Sequence, residues 1–419
     1  MRCFYNHAIR RNLILKRKFV TNLALLLSLN ILIKPFYIFG IVRTVQNTVG
    51  EESFGFYYPL IKFAIILQIL LDFGIENFNR REIARHNQLL RKYLSNFIAL
   101  KLILGLIYFG VCIVVGYLLD YSFTHFKLLI VILFNQFIAC FILYLRSNLG
   151  GLHLFKIDSF ISILDKTLMI IICGILLIVE YTYQNFRIEW FVYSQTLAYS
   201  ITIIITLMIV LAKAEFFKLR FDRVYYISLI KQSFPYALLI LLMALYTHVD
   251  PIILERLLPN GNEQAGIFAH SSTILEAFSQ YGYLFALLLL PIFSKMIKQK
   301  ESIVQLTQLS FLLIIVPAII VSISCAIYRK EIIDILYKQH LESSFKVFGI
   351  LIFSFIGMCT TYIFGTLLTA NGNLKALNIM ASFGVVINIT LNLLLIPKYM
   401  FLELPLQIYL LNYMQQLPR

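Results

Sequence analysis

Five lysines stand inside long apolar stretches of this sequence: Lys34, Lys62, Lys101, Lys166 and Lys231. Acids share such stretches, among them Asp72, Glu76, Asp165 and Glu276. An ionisable side chain deep in a bilayer is costly, and it faces a cavity or a partner. Each of these residues is therefore a candidate for chemistry. Lys34 lies about 14 residues into its run, roughly 21 Å of helix, too deep for easy snorkelling. Pro35 follows it and has no N–H to give the preceding turn, which predicts a kink. Lys34 reads as a cavity-facing cation, with a structural ion pair as the alternative. Glu276 sits near the middle of a later run, with His270 six residues before it. It reads as a functional acid or proton relay, or as a structural hydrogen-bonded carboxyl. Asp72 and Glu76, four apart, are expected on one face of a helix, at a depth similar to Lys101 and Asp165-Lys166. Interhelical pairing, Asp72 with Lys101 for instance, is the bland reading of that layer. Lys62 and Lys231 lie within snorkelling reach of an interface. His248 and Asp250, just before Pro251, read as a feature of the outer rim.

The elements that must hold these residues follow from composition. The chain has 419 residues, 60% hydrophobic and only 14% charged, with a mean hydropathy of +0.83. A soluble domain carries about 25% charged residues, so a water-facing surface is excluded. Apolar runs long enough for a bilayer core of about 30 Å occur at 20–43, 56–78, 93–119, 126–146, 157–179, 190–212, 226–250, 265–293, 304–327, 346–368 and 377–396. A weaker one follows at 402–417. None shows strand alternation, so the expected fold is all-α, a polytopic transmembrane helix bundle of about 11–12 spans.

The net charge of +15 resolves into topology. Loops on the N-terminal side collect 21 basic residues against four acids, and the opposite loops nine against twelve. By the positive-inside rule the N-terminus is cytoplasmic, and nucleic acid is not a partner. No H-E-x-x-H, G-x-S-x-G or G-x-x-x-x-G-K-[ST] motif occurs, and the loops are too short for a catalytic domain, so no enzyme is expected. Cys112, Cys140, Cys173, Cys325 and Cys359 fall within spans with no Cys-x-x-Cys spacing, which predicts neither disulfide nor metal. Tyr57, Tyr58, Tyr181, Tyr183 and Trp190 are expected in the outer aromatic belt.

The chain also repeats itself. Gly50-Glu51-Glu52-Ser53-Phe54-Gly55-Phe56-Tyr57 and Gly261-Asn262-Glu263-Gln264-Ala265-Gly266-Ile267-Phe268 share the pattern G-x-E-x-x-G-x-aromatic, each just before the second span of its half. A weaker pair, Phe137, Ile138 and Tyr144 against Phe355, Ile356 and Tyr362, lies in spans four and ten. Parallel repeats about an axis along the membrane normal follow. They predict a basic tail (1–18), an N-lobe (19–213), a cytoplasmic linker (214–225) and a C-lobe (226–419), two six-helix lobes around a central cavity.

The stretch Val49 to Tyr57, then Leu71-Asp72-Phe73-Gly74-Ile75 and Arg81-Glu82-Ile83-Ala84-Arg85, resembles the opening of the bacterial Wzx-type polysaccharide flippases. These belong to the multidrug/oligosaccharidyl-lipid/polysaccharide exporter superfamily. Arg146 to Lys156, Val249-Asp250 before Gly266-Ile267-Phe268, and Leu395-Ile396-Pro397-Lys398-Tyr399 extend the likeness over about residues 15–399. The resemblance implies a V-shaped pair of lobes working by alternating access in the bacterial inner membrane. The implied cargo is a polyprenyl-diphosphate-linked oligosaccharide, moved from the cytoplasmic to the periplasmic leaflet for O-antigen, capsule or exopolysaccharide. Membrane lipids and a polysaccharide polymerase or other assembly proteins are the implied partners. A diphosphate needs cations in a low-dielectric cavity, and Lys34, Lys62, Lys101 and Lys166 are the candidates. No cofactor is implied beyond H⁺ or Na⁺ coupling, for which Glu276, Asp72 and Asp165 are candidates.

Two alternatives remain open at this level. A cation-coupled drug antiporter of the same superfamily should have an acid-dominated cavity, and a membrane-embedded polymerase should have a large outer loop. The likeness ends at Tyr399, where Met400-Phe401-Leu402-Glu403-Leu404-Pro405 stands in place of a Gly/Ala-rich helix. That end reads as truncated or frameshifted, with a divergent short last span as the alternative.

Overall fold

The structure, a computed structural model, describes residues 25, 28–76, 79, 83, 90–152, 154–214 and 223–399. The expected weak span at 402–417, the basic tail, most of the Arg81–Arg85 motif and most of the linker lie outside the described residues. Among the described residues the secondary structure is helical, with no strand. In lipid only a helix or a closed barrel satisfies every backbone group internally, so apolar runs of this length fold as helices.

The first helical run, Ser28–Leu71, is 44 residues long. On a straight helix its Lys34 and Lys62 would lie roughly 42 Å apart, yet both line one cavity. The chain reverses at Gly50, whose φ of 78° and ψ of 167° leave the helical region. This gives α1 (residues 28–49) and α2 (residues 51–71). There follow α3 (Leu90–Leu118), α4 (Phe123–Gly151), α5 (Phe155–Ile178), α6 (Ile188–Ala214), α7 (Arg223–His248), α8 (Gly261–Lys298), α9 (Val304–Ile327), α10 (Leu341–Ala370) and α11 (Leu374–Tyr399). By length and composition eight of the described helices can cross a membrane, nine if the bent pair at the end of α7 is one span. With the reversal at Gly50 and the 38-residue α8, helices stand at each expected position.

At Pro35, where a kink is expected, the helix changes its hydrogen-bond register. The helix loosens into π-helical turns over Tyr37–Val42, two residues on. A missing amide donor shifts the hydrogen-bond register there. The end of α2 differs from expectation. It tightens into a 3₁₀ turn at Gln68–Leu71, and Phe73 and Gly74 take positive φ of 45° and 79°. Asp72 therefore sits in a turn, where its carboxylate accepts the Gly74 amide at 3.1 Å, and does not share a helical face with Glu76.

In the first half of the chain α4 packs on α6 and α2, and α5 packs on α6; in the second, α8 packs on α10 and α7 on α11. The most extensive contact joins the halves, the run Arg43–Leu67 against α8. At its centre the two copies of the repeated motif meet. A methyl on Gly55 would stand 1.7 Å from the Asn262 carbonyl oxygen, and one on Gly266 would stand 2.1 Å from that of Glu51. The contact is reciprocal, because Asn262 precedes Gly266 by the same four residues by which Glu51 precedes Gly55. Only glycine admits this approach of one helix backbone to another.

Candidate functional site

A cavity of about 410 Å³ lies between the halves, lined by α1, α2, α4, α5, α6 and α8. Three of the five intramembrane lysines line it: Lys34, Lys62 and Lys166. Glu276 is the one acid in the lining. The remaining polar lining is amide and hydroxyl: Gln68, Gln136, Gln195 and Gln280, with Thr273 and the phenols Tyr37, Tyr57, Tyr58 and Tyr199.

The π-helical turn carries Tyr37 into this wall, one turn beyond Lys34. Lys34 Nζ donates to Gln280 Oε1 on the opposite half at 3.3 Å. Among the described residues no carboxylate lies within 4 Å of the Lys34 ammonium. Lys62, by contrast, forms an ion pair with Glu276 across the halves. The Lys62 side chain is only 7% exposed while that of Glu276 is 41% exposed, so the acid is the partner open to the cavity. Tyr58 steadies the pair: its hydroxyl lies 2.8 Å from Ser272 Oγ and 3.2 Å from Glu276 Oε1, and Lys62 Nζ sits 4.8 Å from its ring centre. Gln46 adds a further bond between halves, its Nε2 donating to Thr273 Oγ1 at 3.2 Å.

Lys166 is held against aromatic faces. Its Nζ is 5.0 Å from the Tyr37 ring centre and 5.3 Å from that of Tyr199, within the range of cation–π attraction. It donates to the Tyr199 hydroxyl at 3.2 Å and pairs with Asp165 at 3.1 Å. Gln195 Nε2 donates to the same hydroxyl at 3.1 Å, and Asn135 Nδ2 donates to Gln195 Oε1 at 3.4 Å. The wall that carries the cation is thus fixed from behind.

Lys101 does not reach the cavity. It is 1% exposed and donates to Asp72 Oδ1 at 2.6 Å and to the Leu71 carbonyl at 2.8 Å. The pair ties α3 to the end of α2. Lys231 is exposed on α7. Tyr57 and Tyr58, expected in the outer belt, are buried in the cavity wall, 6% and 5% exposed. Their helix turns inward at Gly50, and belt position depends on that turn. Tyr181 and Tyr183 are exposed as expected.

The Gly50 end of the cavity is closed by bonds between the halves. Arg43 Nε and Asn47 Nδ2 donate to the Leu336 carbonyl at 2.6 and 2.8 Å. His125 Nε2 lies 3.3 Å from Glu255, and His270 Nε2 lies 3.7 Å from Glu51. Arg256 covers Tyr121 at 4.2 Å from the ring centre. Burial and then the Glu255 carboxylate push the Tyr121 hydroxyl above its usual range. Burial does the same to Tyr337, which donates to the His270 carbonyl at 3.1 Å.

The sequence matches the polysaccharide biosynthesis protein family over residues 19–297. The chain belongs to that family. No curated protein matches it. Solved structures share the fold. An inward-facing multidrug resistance MATE family transporter of the MOP superfamily is 13% identical with a TM-score of 0.65, covering 90% of this chain and 92% of its own. An outward-facing one is 15% identical with a TM-score of 0.61, covering 95% and 92%. A MOP superfamily transporter from Pyrococcus furiosus, described by the reverse polarity of its binding pocket, is 13% identical with a TM-score of 0.56, covering 95% and 92%. The family member is therefore a multi-pass all-α membrane protein, and its fold is the one that these transporters share.

The glutamines and Tyr37 and Tyr199 of the cavity were not among the residues singled out from sequence. A signal for them exists. Gln68, Gln136, Gln195 and Gln280 are uncharged polar residues inside apolar spans, where a side chain needs a cavity or an interhelical partner.

Proposed function

We propose that the protein is a flippase that carries polyprenyl-diphosphate-linked oligosaccharides from the cytoplasmic to the periplasmic leaflet of a bacterial inner membrane. The observation that carries this reading is the charge balance of the cavity: three lysines against one glutamate, with Lys34 free of any carboxylate within 4 Å among the described residues. A half-buried ammonium in low dielectric recruits an anion, and a diphosphate supplies one. Phenol and amide groups around it suit a glycan, whose ring faces pack on aromatics and whose hydroxyls bond to amides. Membrane lipids and a downstream polymerase are the partners this reading calls for.

In this reading residues 19–213 and 226–419 act as two lobes that rock about the cavity. The diphosphate docks on Lys34 and competes with Glu276 for Lys62. Once displaced, Glu276 takes a proton or another cation, which couples cargo to ion. Asp72 and Asp165 suit that task less, since neither is among the residues lining the cavity. Glu276, the acid open to the cavity, is also what would favour a cation-coupled antiporter, so the assay must read both. Lys34→Ala, expressed in a strain lacking its own flippase, is expected to insert normally and to fail to restore surface polysaccharide. Full complementation by Lys34→Ala, or drug efflux by the wild type without complementation, would overturn the proposal.

A further inference from the structure

The second half of the chain holds a cavity of its own. It measures about 310 Å³, the size of a small-molecule site, and is lined by α7, α8 and α10. Glu276 and Gln280 line both this cavity and the one that holds the lysines. Each of the two also engages a lysine, Glu276 pairing with Lys62 and Gln280 accepting from Lys34. Among the described residues the second cavity has no Lys or Arg in its lining, and the one carboxylate it shares is matched by Lys62. The molecule thus has two adjoining chambers of different chemistry, one cationic and one not.

What the second chamber presents is acceptor oxygens. Thr247 Oγ1 donates to the Met243 carbonyl at 2.7 Å, Ser279 Oγ to that of Glu276 at 2.8 Å and Thr361 Oγ1 to that of Gly357 at 3.0 Å. With its proton committed to its own helix, each hydroxyl offers only lone pairs to a ligand. His248, expected at the outer rim, lines the same chamber, and its Nδ1 is buried with no hydrogen-bond partner. A buried polar atom of that kind calls for a partner. Tyr362 supplies a fixed aromatic face: a methyl on Gly282 would stand 2.5 Å from its ring, so that glycine seats it. Such a lining fits a neutral molecule that carries several O–H donors on an apolar ring, and its acceptors and Glu276 repel an anion. We infer that this chamber is the subsite for the sugar next to the diphosphate, a neutral hexose or N-acetylhexosamine, and that it excludes uronic acids. The inference rests on the flippase reading. A diphosphate that draws Lys34 and Lys62 to itself releases Gln280 and Glu276, the two side chains that both chambers share.

The test titrates the purified full-length protein with polyprenyl diphosphate, either bare or bearing an N-acetylhexosamine or a hexuronic acid. The wild type is expected to bind the N-acetylhexosamine lipid about tenfold tighter than the bare one, and the uronic acid lipid no tighter. Met358→Trp, which fills the chamber, is expected to abolish that gain and to leave the affinity for the bare lipid in place. Should Met358→Trp not fold, Thr361→Val removes an acceptor at constant shape and is expected to cut the gain to about threefold. Lys34→Ala is expected to weaken both lipids alike and keep their ratio. A wild type that binds neither lipid overturns the flippase reading and this inference with it. Equal binding of the bare and the N-acetylhexosamine lipid overturns the inference alone. So does an equal gain from the uronic acid, or a full gain retained by Met358→Trp or by Thr361→Val.

Discussion

Lys62 and Glu276 are ion-paired across the two halves of the chain, the lysine buried and the glutamate open to the cavity. Both were candidates for function on sequence grounds, one for cargo and one for the coupling ion. Their pairing turns two separate proposals into one exchange, because whatever anion takes Lys62 must release Glu276.

Removing one partner leaves a buried charge unbalanced. Lys62→Met is expected to destabilise the protein by about 2 kcal/mol, below the usual cost for a fully buried pair because Glu276 is partly open. The double variant Lys62→Met/Glu276→Gln should recover more than half of that loss. A double-mutant cycle by thermal unfolding in detergent checks this, and additive effects would dissolve the pair.

Lys101 gives the opposite prediction for the same residue type. It is locked on Asp72 and the Leu71 carbonyl, outside the cavity. Lys101→Met should cost about 3 kcal/mol of stability and leave transport per folded molecule near wild type. A stable Lys101→Met with no transport would place the residue on the cargo path instead.

Enlarging either glycine of the duplicated motif should be severe. Gly55→Ala and Gly266→Ala each drive a methyl into a backbone carbonyl, a clash that no rotamer relieves. We expect losses above about 2 kcal/mol and little transport. Gly365→Ala, whose methyl would meet Thr361 at 3.9 Å, is the control and should be tolerated. Melting temperature and surface-polysaccharide complementation measure both.

The loop charges predict which face is outside. Ser53 is exposed beside the Gly50 reversal, so Ser53→Cys should react with a membrane-impermeant maleimide in intact spheroplasts. The five described native cysteines are free and buried, and should stay unlabelled. Labelling that requires inverted vesicles would reverse the topology.

The helices were legible in the sequence because lipid leaves an apolar run no other way to satisfy its backbone. Lys34 was legible for a related reason, since its depth excludes water. Asp72 was misplaced because helical spacing ran past a turn set by two positive-φ residues, Phe73 and Gly74. Phe73 carries no glycine-like signature to announce that turn. Asp250, expected at the outer rim, was hidden differently: it is 3% exposed and accepts hydrogen bonds from Asn388 and Asn392. Its partners Asn388 and Asn392 lie in another helix well over a hundred residues later, and only the packing of α11 on α7 brings them together.

The reciprocal seating of Gly55 and Gly266 makes each copy of the motif the other's mould. Widening one denies room to the backbone of its twin, so the distance between the two halves at this point is set by both glycines together and can be changed at neither one alone.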